Sequence, residues 1–130
     1  MSRPAQVSAR AAALRVLREH NARHQDAAER LHAVSAGGDQ AAQATDLVYG
    51  VVRNITLLDS LIKQFGGINK NKVKPVLWDI LRLAVYELVF CPKTADYAIL
   101  HEAVNLAARA GSTKAGGFVN AVLRSLQRGI

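Results

Sequence analysis

His20 and His24 stand four residues apart in a stretch that reads as helix, so the two rings would share one face, as paired metal ligands do. The glutamate of a hydrolytic HExxH motif is missing, with Asn21 in its place. His24 also falls at the expected helix end, and no metal is expected here. Cys91 lies between Phe90 and Pro92, at the close of a predicted helix. A thiol becomes nucleophilic when a helix N-terminus or a cation favours the thiolate, whereas a helix C-terminus disfavours it. Cys91 therefore reads as a bystander. Asp79 and Arg82 have the spacing of an intrahelical ion pair, and Glu87 and Glu102 read as capping or pairing residues. The glycine pairs 37–38, 66–67 and 116–117 match neither GxGxxG nor GxxxxGK[ST] and read as helix stops and close-packing points. No pair of carboxylates has a spacing that demands acid–base chemistry. The expectation is a chain with no catalytic residue and no cofactor of its own.

The basic residues are the remaining candidates. Residues 1–24 carry five arginines and one glutamate, and residues 109–130 carry Arg109, Lys114, Arg124 and Arg128 with no acid. The stretch between has eight basic and nine acidic residues, so the net charge of +7 sits at the two ends. If the ends meet in space they form one basic face, which attracts polyphosphate and releases counterions on binding. Near the N-terminus, Arg3, Arg10 and Arg18 lie opposite or beside an apolar stripe. Near the C-terminus, Asn120, Arg124, Gln127 and Arg128 fall at i, i+4, i+7 and i+8, one polar helix face. Arginine forks onto phosphate, and amides read exposed bases. The predicted helix start at 112–117 adds backbone N–H groups and a positive dipole end. A plain solvated face has the same pattern, so both readings stand on pattern alone.

These residues must be positioned by helices. The 130 residues fit one domain with one core, and half of them are apolar. Alanine and leucine dominate over aromatics, and the prolines are only Pro4, Pro75 and Pro92. Seven helical segments are predicted, at about 4–21, 25–36, 39–53, 56–65, 75–90, 96–110 and 114–128. In the first, Val7, Ala11, Leu14 and Leu17 recur at helical spacing, with Ser2 or Ser8 as cap. The fourth turns Leu57, Leu58, Leu61, Ile62 and Phe65 inward. The fifth opens on Pro75 and is apolar nearly all round, with Asp79, Arg82 and Tyr86 as a narrow polar stripe. It belongs at the centre of an all-α bundle of about seven helices, packed as two subbundles around it. The single cysteine excludes an internal disulfide. Arg3, Arg10, Arg15 and Arg18 interrupt any apolar signal core, and no run reaches the length of a membrane span. A cytoplasmic location is expected.

Four strings then carry a resemblance: DLVYGVVR at 46–53, ILRLAVYEL at 80–88, HEAVNLA at 101–107 and GFVNAVLR at 117–124. In this order and spacing they resemble the NusB family over about Ser8 to Gln127. The resemblance implies a single all-α RNA-binding domain over residues 1–130. Stand-alone members are antitermination factors that bind a boxA-type RNA together with a ribosomal protein, NusE. The other branch is the N-terminal domain of bacterial rRNA cytosine-5 methyltransferases, called RsmB, Sun or Fmu. GFVNAVLR and LVYGVVR look more like the methyltransferase branch, since antitermination factors would carry lysine at Gly117 and an acid at Arg124. In that case the S-adenosylmethionine fold would lie beyond Ile130, and the chain closes directly after its last helix as an excised domain would. The family usually has asparagine at His101 and proline at Ala95. If that asparagine orders the loop before the sixth segment, His101 must substitute for it, although a tolerated replacement is the simpler reading.

The resemblance places an RNA-contacting surface on Arg3, Arg10, Lys114, Asn120 and Arg124, with Phe118 either a stacking residue or core. The partners it implies are rRNA or a boxA-like RNA, a ribosomal protein, and a C-terminal methyltransferase domain. A protein-docking module is the alternative, and it would rest on Tyr86, Glu87 and the central helix instead.

Overall fold

In a computed structural model, the structure describes residues 8–23 and 38–130. The described residues form six α-helices: α1 (Ala9–Arg23), α2 (Gly38–Arg53), α3 (Ile55–Gly66), α4 (Pro75–Phe90), α5 (Asp96–Ala110) and α6 (Thr113–Gly129), with a 3-10 turn at Lys70–Lys72. They contain no strand. The predicted segment at 25–36 lies outside the described residues, as do Val7, Ser2 and Arg3. The other six predicted segments are helices, with ends moved by a residue or two; α1 runs from Ala9, and the predicted residues 4–7 lie outside the described residues. Ser8 is its cap: the Ala11 N–H donates to Ser8 Oγ at 3.1 Å.

The chain divides into two compact units, one ending at Tyr49 and one beginning at Gly50. In the first, α1 buries Ala9, Ala12, Ala13, Leu14, Val16 and Leu17, and α2 buries Ala44, Leu47 and Val48. The spacing 9, 12, 13, 16, 17 is one helix face, and it leaves the expected Ala11 at the edge, half-buried.

The second unit is built on α4, which packs against α3, α5 and α6. Pro75 occupies its first turn, where a missing N–H costs nothing. Ten residues between Leu77 and Glu87 are buried, as a helix apolar nearly all round requires. The expected polar stripe is buried too: Asp79 and Arg82 lie in the core and Tyr86 is half-buried. From α3, Leu58 and Ile62 are buried, whereas Leu57, expected inward, is 44% exposed. Its place one residue before Leu58 turns it about 100° away from the core face. The Ser125 hydroxyl of α6 donates to the Phe65 carbonyl at 2.8 Å and ties α6 to the end of α3.

Two glycines let these helices approach. A Cβ at Gly50 would lie inside the Tyr86 ring, so the phenol of α4 seats on bare backbone of α2. A Cβ at Gly116 would stand 3.2 Å from the Val104 carbonyl, and its absence lets α6 lie close on α5.

Two of the charges buried in this core, Asp79 and Arg82, are joined to each other and, through Arg82, to Asp59. Arg82 is 5% exposed at its side chain, and its Nε and Nη2 donate to the two carboxylate oxygens of Asp59 on α3 at 2.7 and 2.8 Å. Its Nη1 donates to Asp79 at 3.1 Å, and the Trp78 indole donates to Asp59 at 2.8 Å. The intrahelical pair expected between Asp79 and Arg82 is present, but the fork to Asp59 is the shorter contact.

Candidate nucleic-acid interface

The described candidate residues fall on α1 and α6. On α6, Ser112 caps the helix in extended backbone and its Oγ accepts from the Ala115 N–H at 3.3 Å. Val119, Val122, Leu123 and Leu126 face the core. Side chains flanking this stripe line two concavities, one on each side of it.

The first concavity, of about 430 Å3, lies between the start of α6 and the segment entering α4. Val73, Val76, Leu77, Ala110 and Ala115 give it apolar walls, and Phe118 is half-buried among them. Of the two fates open to Phe118, neither full burial nor full exposure is observed. Lys114 is exposed at the rim, with Lys72 and Lys74. Those two lysines were absent from the sequence-based set. Their signal was the run Lys70-Asn71-Lys72-Val73-Lys74, which vanished when charge was averaged over the acidic middle of the chain.

The second is an open groove of about 970 Å3 between α5 and α6. It holds Asn120, Arg124 and Gln127 of the predicted polar face, while exposed Arg128 is not among its lining residues. Arg124 Nε donates to Asn120 Oδ1 at 3.3 Å, and the Gln127 amide donates to Asp96 at 3.2 Å across the two helices. Tyr97 and His101 of α5 complete the rim, over a floor of Leu100 and Val104. The His101 ring meets Asn105 at 3.2 Å, one turn along its own helix. Tyr97, 81% exposed, was missed. Its signal was an aromatic in the first turn of α5, off the buried stripe of Ile99, Ala103, Leu106 and Ala107.

The structure thus joins Lys114 with Phe118, and Asn120 with Arg124, in separate concavities. Arg10 belongs to the unit ending at Tyr49, where it is half-buried and has an interaction partner, as has Arg18. Arg3 and His24, and the side chain of His20, lie outside the described residues. Among the described residues, no three His, Cys, Asp or Glu side chains cluster as metal ligands would, and no helix is long and apolar enough to cross a membrane. Cys91 is half-buried at the C-cap of α4, its N–H donating to the Glu87 carbonyl at 3.0 Å.

The electrostatics separate framework from surface. Burial works against the charge on Asp59, but the Arg82 and Trp78 hydrogen bonds, with the Arg82 and Lys70 charges, outweigh it and hold the carboxyl below its usual range. The hydrogen bond to Asp59 makes the Arg82 guanidinium a still weaker acid. Both groups are thus committed to holding α3 against α4, whereas Lys72, Lys74, Lys114 and Arg124 stand exposed at the concavities.

The model of the NusB family matches residues 7–128. A probable ribosomal RNA small subunit methyltransferase B of Bacillus subtilis is 46% identical over 85 residues, which is 65% of this chain and 19% of that protein. A transcription antitermination protein NusB of Acidothermus cellulolyticus is 36% identical over 127 residues, 95% of this chain and 88% of that one. The matched region is therefore a fifth of the methyltransferase but most of the antitermination protein. Among solved structures, that of antitermination factors NusB and NusE in complex with double-stranded RNA superposes with a TM-score of 0.85 at 28% identity, covering 94% of this chain and 95% of that one.

Proposed function

The chain belongs to the NusB family, and we propose that residues 1–130 serve as one RNA-recognition module, the N-terminal domain of an rRNA cytosine-5 methyltransferase. The observation that carries the RNA reading is the surface of α6. No acidic residue occurs from 109 to 130, and the two concavities beside this helix present Lys72, Lys74, Lys114 and Arg124 around apolar floors. Such surfaces pair phosphate contacts with room for bases. The N–H groups at the capped start of α6 add donors for an anion. Arg3 and Arg10 remain candidate RNA-contacting residues of the N-terminal segment.

The methyltransferase assignment is supported by the Bacillus subtilis relative, which is the more similar of the two by identity, and by Gly117 and Arg124. In this reading the chain recognises RNA, and methyl transfer falls to a domain outside residues 1–130. The second reading is a stand-alone antitermination factor that pairs with a ribosomal protein, favoured by the 88% coverage of the Acidothermus protein.

Titration with small-subunit rRNA fragments and a boxA-like RNA at several salt concentrations tests both. If the four cations each displace a counterion from single-stranded RNA, log affinity falls with log salt at a slope of about −3. Tighter binding of an rRNA fragment supports the first reading, and tighter binding of boxA-like RNA in the presence of the ribosomal protein supports the second. Binding that is weak and independent of salt overturns both.

A further inference from the structure

We propose that the groove between α5 and α6 is a nucleotide subsite that receives one unstacked base of single-stranded RNA, with the Tyr97 ring as its stacking platform. The inference rests on the RNA-binding reading and adds to it a place where single-strandedness is sensed.

Tyr97 is the most exposed large hydrophobic side chain among the described residues, at 81%. It stands at the mouth of a groove whose polar lining holds an imidazole, two amides, a guanidinium, the Thr113 hydroxyl and the Asp96 carboxylate. His101 follows it by one helical turn, so the two rings share a face of α5. Asn120 and Arg124 stand on the facing helix. The hydrogen bond from Arg124 to Asn120 uses Nε, which leaves both terminal guanidinium nitrogens for a phosphate or a base edge. The one carboxylate in the lining, Asp96, accepts from the neutral Gln127 amide and keeps its formal charge, which Arg124 on the facing helix offsets.

This chemistry favours a nucleotide over a peptide. The floor offers only Leu100 and Val104 as apolar anchors, too few for the i, i+3, i+7 contacts of a docked helix. A planar base needs an aromatic face and donors and acceptors at its edge, and the groove supplies both. A base within a duplex keeps its faces stacked, so only a single strand can use Tyr97.

The test compares a short unstructured oligoribonucleotide with an RNA duplex by fluorescence anisotropy, using the whole chain. Tyr97→Ala should weaken single-strand binding roughly tenfold and leave duplex binding unchanged, while Tyr97→Phe keeps both. The residue is exposed, so the variant folds, and circular dichroism verifies this. A 5-iodouridine oligonucleotide should photo-crosslink to Tyr97 within α5. Unchanged single-strand affinity in Tyr97→Ala, or equal loss on both RNAs, overturns the subsite. Loss of a protein partner in Tyr97→Ala with RNA binding intact also overturns it, in favour of protein docking. Lys114→Glu separates the two levels: if it weakens binding to both RNAs while Tyr97→Ala does nothing, RNA binding stands and only the subsite falls. If the unmodified chain binds neither RNA, both fall.

Discussion

Arg82 and Asp59 meet as a two-toothed fork, Nε to Oδ1 at 2.7 Å and Nη2 to Oδ2 at 2.8 Å, across the contact between α3 and α4. They are 23 residues apart, and the fork sets the register of α3 on the central helix. The pair does structural work because its members are unequal: the arginine side chain is 5% exposed, the aspartate 26%. Asp79 beside them is 3% exposed.

Removing the arginine takes the two-toothed cation from Asp59, which keeps the longer Lys70 contact at 3.9 Å, and takes the Arg82 bond from the buried Asp79. Arg82→Ala should therefore destabilise the chain by about 3–5 kcal/mol in urea unfolding, and Asp59→Ala by less, since Asp79 still neutralises Arg82. Arg82→Lys should recover little, because an ammonium cannot make both parallel bonds. Equal stability of Arg82→Lys and the unmodified chain would refute the fork as the source.

The same pair gives a pH dependence. The folded-state pKa of Asp59 is depressed below the unfolded value near 3.9, so its stabilisation is fully present above that pH and disappears as pH falls through the folded value. Arg82 stays protonated throughout and adds no slope. Stability should fall more steeply below pH 4 in the unmodified chain than in Asp59→Asn. Parallel curves for the two proteins would contradict this.

Gly50 and Tyr86 make a close contact that one methyl group would close. Gly50→Ala should displace the phenol and with it the stack of Tyr86 on Phe90, whose ring centroids lie 5.2 Å apart at 26°. A cost of about 2 kcal/mol is expected. In a Tyr86→Ala background the same substitution should cost close to nothing. A double-mutant cycle measures that coupling, and additive effects would place the strain elsewhere.

For RNA, charge position matters more than charge number. Lys72→Glu, Lys74→Glu and Lys114→Glu each reverse a cation at the first concavity. Each should weaken RNA binding and reduce the steepness of the salt dependence by about one or more. Arg128→Glu makes the same change in net charge outside both concavities and should do less. If all four variants lose affinity alike, binding follows net charge and not these sites.

The helices were legible in the sequence because they are written locally. A 3.6-residue apolar period, Pro75 at a helix start, Pro92 after a helix end and Gly111 between the last two helices are read within a few residues of where they act. The four family strings, read in order, also pointed to the family that the comparison shows. The basic bias of α6 was equally plain, because it needs only counting.

Tertiary structure decided what that bias can hold. One stripe on α6 goes to the core, and the side chains on its two sides open into separate concavities, so residues grouped by charge are divided between them. The walls come from elsewhere in the chain: Lys72 and Lys74 from the segment before α4, Tyr97 and His101 from α5. Asp59 likewise drew no expectation from the sequence, since nothing in its neighbourhood names Arg82 as its partner. Helical periodicity is a property of adjacent residues and survives in one dimension. Which distant side chains share a concavity or a salt bridge depends on how helices pack, and that is set only when the core closes.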